Sequence, residues 1–160
     1  MTDEALQQWL PPDYGAESRA RQALRRWLDA WGWPRDEADD LVLATSEAVA
    51  NSAEHAYPAD RAKPDILLEA ALLAGPDGKS QAMITVSDGG RWQPPAADRG
   101  FRGRGLLLMR ALTESVQFDT SGTGTKVTMI SHPVSTPAGA LPHQRPHESP
   151  SQPDPSSLAQ

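Results

Sequence analysis

Apolar positions in the first third of the chain recur with a helical period and predict two helices. The first is "ESRARQALRRWLDAWG", with Gly32 as its expected end. The second is "PRDEADDLVLATSEAVANSAEHAYP", where proline and acidic residues suit the first turn and Pro58 ends the element. The apolar face of the first comprises Ala20, Ala23, Leu24, Trp27, Leu28 and Trp31, and the buried stripe of the second comprises Leu41, Thr45, Ala48 and Ser52, flanked by Val42 and Val49.

The hydrophobic period then changes to two. "DILLEAALL" and "QAMITVSD" predict strands joined by a hairpin connection, "AGPDGKS". An irregular segment, "RWQPPAADRGFRGRG", leads into a third helix, "LLLMRALTES", and "VQFDT" and "TKVTMI" close a second hairpin around "SGTG". This order predicts an α+β two-layer sandwich, with a mixed, largely antiparallel sheet and helices packed on one face.

Both ends of the chain differ from this central region. Near the N-terminus, "ALQQWLPP" is short and followed by two prolines, which leaves a strand there open. From Pro133 onward the chain holds about half of its 15 prolines and no aromatic residue, so it cannot bury enough apolar surface to order itself. We therefore expect an N-terminal segment over 1–14, one domain over 15–131 and a disordered tail over 132–160.

Charge and composition narrow the function classes. The net charge of -6 argues against direct nucleic-acid binding through general electrostatics. The chain has no cysteine, which excludes disulfides and thiolate chemistry and suits a reducing cytosol. No apolar run approaches the roughly 18 residues of a membrane span, and the N-terminus lacks a signal-peptide core. We therefore expect a cytoplasmic protein with no membrane partner.

Charge is also unevenly distributed within the chain. Residues 88–104 form a locally basic loop in an acidic protein, which suggests an anionic ligand, although ordinary surface scatter is the alternative. The arginines of this loop are Arg91, Arg99, Arg102 and Arg104.

Glu47 and Asn51 are the first candidates for chemistry, because they lie one turn apart on the second predicted helix. At 100° per residue they point in directions about 40° apart and away from the apolar stripe. A carboxylate can take a proton from a hydroxyl, and an amide oxygen can bind Mg²⁺. Two solvent-facing polar residues are the alternative explanation of so short a pattern.

A second candidate is "SDGG" at the end of an apolar strand. Asp88 could accept a hydrogen bond from the amino group of a base, and Gly89 and Gly90 let a flat ligand approach the backbone. A plain strand-ending turn is the alternative.

Two further glycine patterns follow. In "GFRGRGLLLM", Gly103 and Gly105 precede a helix and leave its first N–H groups for phosphate oxygens, although the Lys-Ser/Thr ending of a P-loop is missing. A flexible loop before a helix is the alternative. "SGTGTKV" places Thr125 directly after Gly124 at the start of the last strand, which alone indicates only a hairpin turn.

Taken in order, "SEAVANSAEHAYP", "VSDGG", "GRGLLLM" and "GTGTKV" resemble the N box, the two glycine boxes and the closing Gly-Thr of the GHKL ATPase/kinase superfamily. The resemblance is closest to bacterial anti-sigma-factor serine/threonine-protein kinases and covers roughly residues 15–131. It implies the Bergerat ATP-binding fold, with ATP and Mg²⁺ as cofactors.

The resemblance also implies roles for individual residues. Glu47 corresponds to the general base, Asn51 to the side-chain ligand of Mg²⁺, and Asp88 to the acceptor for the adenine amine. Gly90 corresponds to a residue of the adenine pocket, and Thr125 to one that contacts adenine through water. Gly103 and Gly105 correspond to the hinges of a lid over 91–101, and their backbone N–H groups would donate to the phosphates. One of Arg99, Arg102 and Arg104 would contact the γ-phosphate.

The activity implied by the resemblance is phosphoryl transfer from ATP to a serine or threonine of an anti-anti-sigma (STAS) protein, together with sequestration of a sigma factor. Arg21 matches a partner-facing position, a solvated arginine being the alternative, and His55 has no implied role. A homodimer stays open, because the relatives form it with the N-terminal strand.

Two other functions compete with this one. The first is a non-catalytic nucleotide-binding module that controls a regulator by sequestration alone, which the intact Glu47 argues against. The second is an ATP-driven clamp, which needs further domains. No histidine-bearing dimerisation helix precedes the domain, so we do not expect a histidine kinase.

Overall fold

A computed structural model of the protein describes residues 5–55, 65–89 and 103–136. The chain in these ranges forms three α-helices, one 3₁₀ turn (Pro76–Gly78) and one five-stranded sheet. The helices are α1 (Ala16–Ala30), α2 (Arg35–His55) and α3 (Arg104–Leu112). The strands are β1 (Ala5–Leu10), β2 (Ile66–Ala74), β3 (Ser80–Asp88), β4 (Ser115–Asp119) and β5 (Thr125–Ile130).

Helix α1 buries the apolar face that its sequence predicts, and it ends where expected. Gly32 adopts a positive φ of 66°. Its N–H donates to the carbonyl of Asp29, and the next N–H, that of Trp33, donates to the carbonyl of Leu28. This pair of bonds is a Schellman motif, which satisfies the last carbonyls of the helix and turns the chain toward α2.

Helix α2 begins one residue after Pro34, whose carbonyl accepts the N–H of Ala38 at 2.9 Å. The predicted stripe is buried along the helix, with Thr45 and Ser52 at 1% and 4% exposure among apolar neighbours. The described part of the helix ends at His55, so the predicted end at Pro58 lies outside the described residues, as does the side chain of His55.

The strand order is β1-β2-β3-β5-β4, and each of the four pairings is antiparallel. Residues paired directly across neighbouring strands point to the same face of the sheet. Leu68, Val86 and Val127 are aligned in this way, and so are Ile84 and Met129, and all five are buried. The predicted two-layer α+β sandwich is confirmed, although the pairings in the described residues are antiparallel and not mixed.

A strand, β1, does form near the N-terminus, which the two prolines had left open. It pairs with β2 along its full length, from Ala5 opposite Ala71 to Leu10 opposite Ile66. Pro11 follows the last paired residue, so the prolines end the strand and do not interrupt it. Strand β1, which lies within the N-terminal segment predicted over 1–14, therefore forms part of the five-stranded sheet.

A short polar link holds β1 next to α1. One guanidinium nitrogen of Arg19 donates to the Asp13 carboxylate at 2.5 Å and to the Pro11 carbonyl at 3.0 Å. The same carboxylate accepts the N–H of Gly15. The pKa of Asp13 lies below its usual value, chiefly because Arg19 donates this hydrogen bond. The Arg19 guanidinium and the Gly15 N–H both favour the ionised carboxylate, and these hydrogen bonds join the segment after β1 to α1.

Helix α3 begins two residues earlier and ends three residues earlier than "LLLMRALTES" predicts. Its end is set by Thr113, which has extended backbone angles and whose hydroxyl donates to the carbonyl of Met109 at 2.6 Å. This side chain competes with continuation of the helix, as threonine often does.

Residues after β5 still pack against the sheet. Val134 is buried and pairs with Ser80 in an isolated antiparallel bridge, and the Ser80 hydroxyl is hydrogen-bonded to that of Thr136. Of the tail predicted over 132–160, residues 132–136 are described, and 137–160 lie outside the described residues. None of the helices in the described ranges is long and apolar enough to cross a membrane.

Candidate functional site

Glu47 and Asn51 meet the start of α3. Both side chains are half-buried on α2, one turn apart. A Cβ atom placed on Gly105 would lie 2.8 Å from Glu47 Oε2 and 3.7 Å from Asn51 Nδ2. The glycine therefore lets the first turn of α3 approach the carboxylate and the amide more closely than any other residue would allow.

The start of α3 has the character of an anion-binding helix end. Gly103 occupies the N-cap position and provides no side-chain cap, and the first turn contains no acidic residue. Arg104, the first residue of the helix, is exposed. Because N–H groups at a helix start carry partial positive charge, a negatively charged ligand is favoured at this position.

Asp88 lies at the end of β3, directly opposite Thr125 at the start of β5. The alternation along β3 places Asp88 on the same face as Val86, which is the face covered by the helices. The hydroxyl of Ser52, on α2, donates to Asp88 Oδ2 at 2.7 Å. The carboxylate is therefore held between the sheet and the helix that carries Asn51.

Gly124 fits tightly against the same strand end. A Cβ atom at this position would lie 1.9 Å from the carbonyl oxygen of Asp88 and 3.0 Å from the Cα of Gly89. Both atoms belong to the backbone, so neither can move without shifting the strand. The glycine of "GTGT" therefore serves the close approach of β5 to β3, beyond forming a hairpin turn.

Thr125 has an unsatisfied hydroxyl. Its side chain is 6% exposed, and Oγ1 has no hydrogen-bond partner. Buried hydroxyl groups are normally paired, so an unpaired one beside a candidate base-recognising carboxylate fits a site completed by ligand or water. Asp88 and Thr125, the two side chains that the resemblance places near adenine, lie opposite each other on one face of the sheet.

A divalent cation would find few protein ligands here. Among the described residues, no three His, Asp or Glu side chains are grouped closely enough to hold a metal ion. Mg²⁺ commonly binds through one or two protein oxygens and takes its other ligands from water and phosphate. The amide oxygen of Asn51, beside Glu47 and the start of α3, suits that mode of binding.

The structure thus brings the predicted residues into two adjoining groups. Glu47, Asn51 and Gly105 form one group, and Asp88 with Thr125 forms the other. Gly103 and Arg104 adjoin the first group at the start of α3. Gly90, Arg99, Arg102 and the expected lid over 91–101 lie outside the described residues.

Ser52 joins the two groups, and its sequence context predicted only packing. It follows Asn51 directly in the chain and contacts Asp88 from the buried side of α2. The available signal was that Ser52, like Thr45, places a hydroxyl on the stripe that packs against the core, since buried polar atoms require partners.

Arg21, for which the sequence offered a partner-facing or a solvated position, is hydrogen-bonded to α2. Its Nη1 donates to the Ser46 hydroxyl at 2.9 Å, and that hydroxyl donates to Glu17 Oε2 at 3.2 Å. Ser46 is buried and precedes Glu47. Helix α1 is therefore hydrogen-bonded to α2 next to the candidate base.

Comparison with known proteins identifies a family and similar solved structures. The family described as the histidine kinase-like ATPase domain matches residues 10–131, about three quarters of the chain. A crystal structure of the RsbU and RsbW domains of Rv1364c from Mycobacterium tuberculosis is similar, with 26% sequence identity and a TM-score of 0.61. The match covers 82% of this chain and 33% of that chain, so the present chain spans about a third of that protein.

Two structures of the EL346 blue-light activated histidine kinase of Erythrobacter litoralis also match. Their sequence identities are 24% and 23%, and their TM-scores are 0.45 and 0.47. The matches cover 61% and 73% of this chain and 31% and 59% of those chains. The family match over most of the domain, together with the antiparallel sheet and its helical layer, confirms the GHKL resemblance: this chain belongs to the histidine kinase-like ATPase family.

Proposed function

We propose that the protein is a Mg-ATP-dependent serine/threonine-protein kinase that also acts as an anti-sigma factor. The observation that carries the proposal is the placement of the Glu47 carboxylate against Gly105 at the start of α3, with Asn51 one turn along. A module that only binds nucleotide has no need of a carboxylate at the phosphate end of its site. The family supports ATP binding, and the resemblance to anti-sigma-factor kinases supports the finer assignment.

The two groups of residues suit the two ends of the nucleotide. Asp88 would accept from the adenine amine, and Thr125 would contact the base through water. At the other end, Asn51 would hold Mg²⁺, which supplies charge neutralisation to the phosphates when bound. The N–H groups at the start of α3 would donate to phosphate oxygens.

The proposed reaction transfers the γ-phosphoryl group of ATP to a hydroxyl of a partner protein. The hydroxyl oxygen forms a bond to the γ-phosphorus as the bond from that phosphorus to the β–γ bridging oxygen breaks, and ADP leaves. Glu47 accepts the proton of the hydroxyl. Backbone donors at the start of α3 stabilise negative charge on the transferring group.

The proposed partners follow from the resemblance. The phosphate acceptor is an anti-anti-sigma protein of the STAS type, and the sequestered protein is a sigma factor. Arg21 and Glu17 on α1, hydrogen-bonded through Ser46 to the helix of Glu47, lie where a docked partner could affect the candidate base.

The test combines phosphate transfer with nucleotide binding. Purified protein is incubated with Mg²⁺, γ-labelled ATP and the STAS proteins of the host, each in turn, and the labelled residue is mapped. We expect acid-stable label on serine or threonine, and we expect Glu47→Gln to abolish transfer while ATP affinity changes by less than about threefold.

Other outcomes separate the alternatives. Equal transfer by Glu47→Gln and the parent protein would remove the assigned base. ATP binding without transfer to any STAS protein would favour a module that acts by sequestration alone. Acid-labile label would indicate histidine chemistry instead.

A further inference from the structure

We propose that Ser52 is a positioning residue that orients the Asp88 carboxylate and thereby sets the preference of the site for adenine. The inference rests on the proposed nucleotide site and deepens it, because it assigns base specificity to a residue outside the implied set. Its basis is the hydrogen bond from Ser52 Oγ to Asp88 Oδ2, at 2.7 Å.

The backbone of Asp88 is already held from the sheet side. Asp88 on β3 pairs with Thr125 on β5. A Cβ atom on Gly124 would lie only 1.9 Å from the carbonyl oxygen of Asp88. These contacts fix the Cα position at the end of the strand. They leave rotation about the side-chain bonds of Asp88 to be decided by other groups.

Ser52 constrains the Asp88 side chain from the helix side. It is 4% exposed, so water competes poorly for its hydroxyl, and a bond to a charged acceptor is stronger than one between neutral groups. Fixing Oδ2 determines the plane of the carboxylate, and therefore also the direction of Oδ1. With its orientation set in advance, the carboxylate loses less entropy when a base binds.

A fixed carboxylate discriminates between bases by donor chemistry. Adenine carries an amine at the 6-position, which donates to the carboxylate, whereas hypoxanthine carries a carbonyl oxygen there and cannot donate from that position. A site built for a donor rejects the analogue that lacks it, because its own polar group is then unpaired. Loss of the orientation should therefore weaken ATP binding and affect ITP binding little.

The test compares Mg-ATP with Mg-ITP on the full chain by calorimetry. We expect Ser52→Ala to weaken ATP binding about tenfold and ITP binding less than about twofold, which lowers the ATP:ITP affinity ratio. Ser52→Cys, which keeps the volume with a weaker donor, should give an intermediate ratio.

Matched variants separate positioning from a general packing effect. Ser46→Ala removes another buried, hydrogen-bonded hydroxyl of α2 that does not contact Asp88, and it should leave the ATP:ITP ratio unchanged. Asp88→Asn should lower the ratio by itself, and adding Ser52→Ala to it should cause no further change in the ratio.

Each result decides between distinct claims. An unchanged ratio in Ser52→Ala, with a lowered ratio in Asp88→Asn, would overturn the role of Ser52 and leave the nucleotide site intact. Equal weakening of ATP and ITP by Ser52→Ala would show a packing role and also overturn it. If the parent protein binds neither nucleotide, the proposed function itself fails.

Discussion

At Gly124 the backbone leaves no room for a single methyl group. Two glycines of the same turn differ in this respect: a Cβ on Gly124 would meet the Asp88 carbonyl at 1.9 Å, whereas a Cβ on Gly122 would have nothing within 4 Å. The difference lies in packing and not in backbone angles, since neither glycine has a positive φ. The requirement for glycine at residue 124 is therefore a requirement of the β3–β5 contact that places Asp88 beside Thr125.

This contrast gives a prediction for stability. Gly124→Ala should lower the free energy of unfolding by at least about 2 kcal/mol, because the added methyl group can be accommodated only by moving backbone. Gly122→Ala should change it by less than about 0.5 kcal/mol. Urea denaturation of both variants measures the difference, and equal stabilities would contradict the packing that the structure shows.

At the scale of elements, the approach of α3 to α2 forms the phosphate end of the candidate site. Gly105 stands one residue inside α3, and the atom that its Cβ would meet is the tip of a flexible side chain, Glu47 Oε2 at 2.8 Å. A side chain can move aside where a backbone cannot. The two glycines therefore constrain different properties: Gly105 the position of the Glu47 carboxylate, the candidate base, and Gly124 the stability of the sheet.

Gly105→Ala should accordingly separate activity from stability. Alanine in a helix gains up to about 1 kcal/mol over glycine, which offsets the displaced contact, so the melting temperature should change little. Phosphate transfer should fall about 100-fold, because a carboxylate moved by about 1 Å no longer reaches the hydroxyl proton. The two measurements are a thermal melt and the transfer assay, and full activity in this variant would argue against Glu47 as the base.

At the scale of the whole molecule, the candidate site is assembled from four elements distant in sequence. Helix α2 carries Glu47 and Asn51, β3 carries Asp88, α3 carries Gly105, and β5 carries Thr125. These four elements do not lie near one another in an unfolded chain. A ligand of the complete site therefore binds the folded protein alone and must stabilise it.

Nucleotide should thus raise the melting temperature. At about 100 times its dissociation constant, Mg-ATP or Mg-ADP adds about 2.7 kcal/mol, which corresponds to a rise of more than about 5 °C for a domain of this size. Mg²⁺ without nucleotide should have little effect, and Asp88→Ala should reduce the rise. Absence of any shift at millimolar nucleotide would exclude a nucleotide function.

Much of the fold was predictable because its elements have strong local signals. The helical period and Gly32 located α1, and the alternation in "TKVTMI" located β5 at its observed bounds. Element ends were less accurate where a side chain or a distant partner decides them. Thr113 ends α3 through its hydroxyl, and β1 exists because β2 offers it a paired edge.

Local spacing made Glu47, Asn51 and Asp88 candidates, because helix period and strand ends determine which way a side chain points. The order of the four motifs, through the family resemblance, added Thr125 and a role for each residue. The contacts among the site residues depend on the distances between elements in the folded chain. Three of these contacts form only in the folded chain: Gly105 lies against the Glu47 carboxylate, Gly124 packs too closely on β3 for a side chain, and Ser52 donates to Asp88. The physical reason is that hydrogen bonds and packing between residues 36 or more positions apart leave no periodic trace in the sequence.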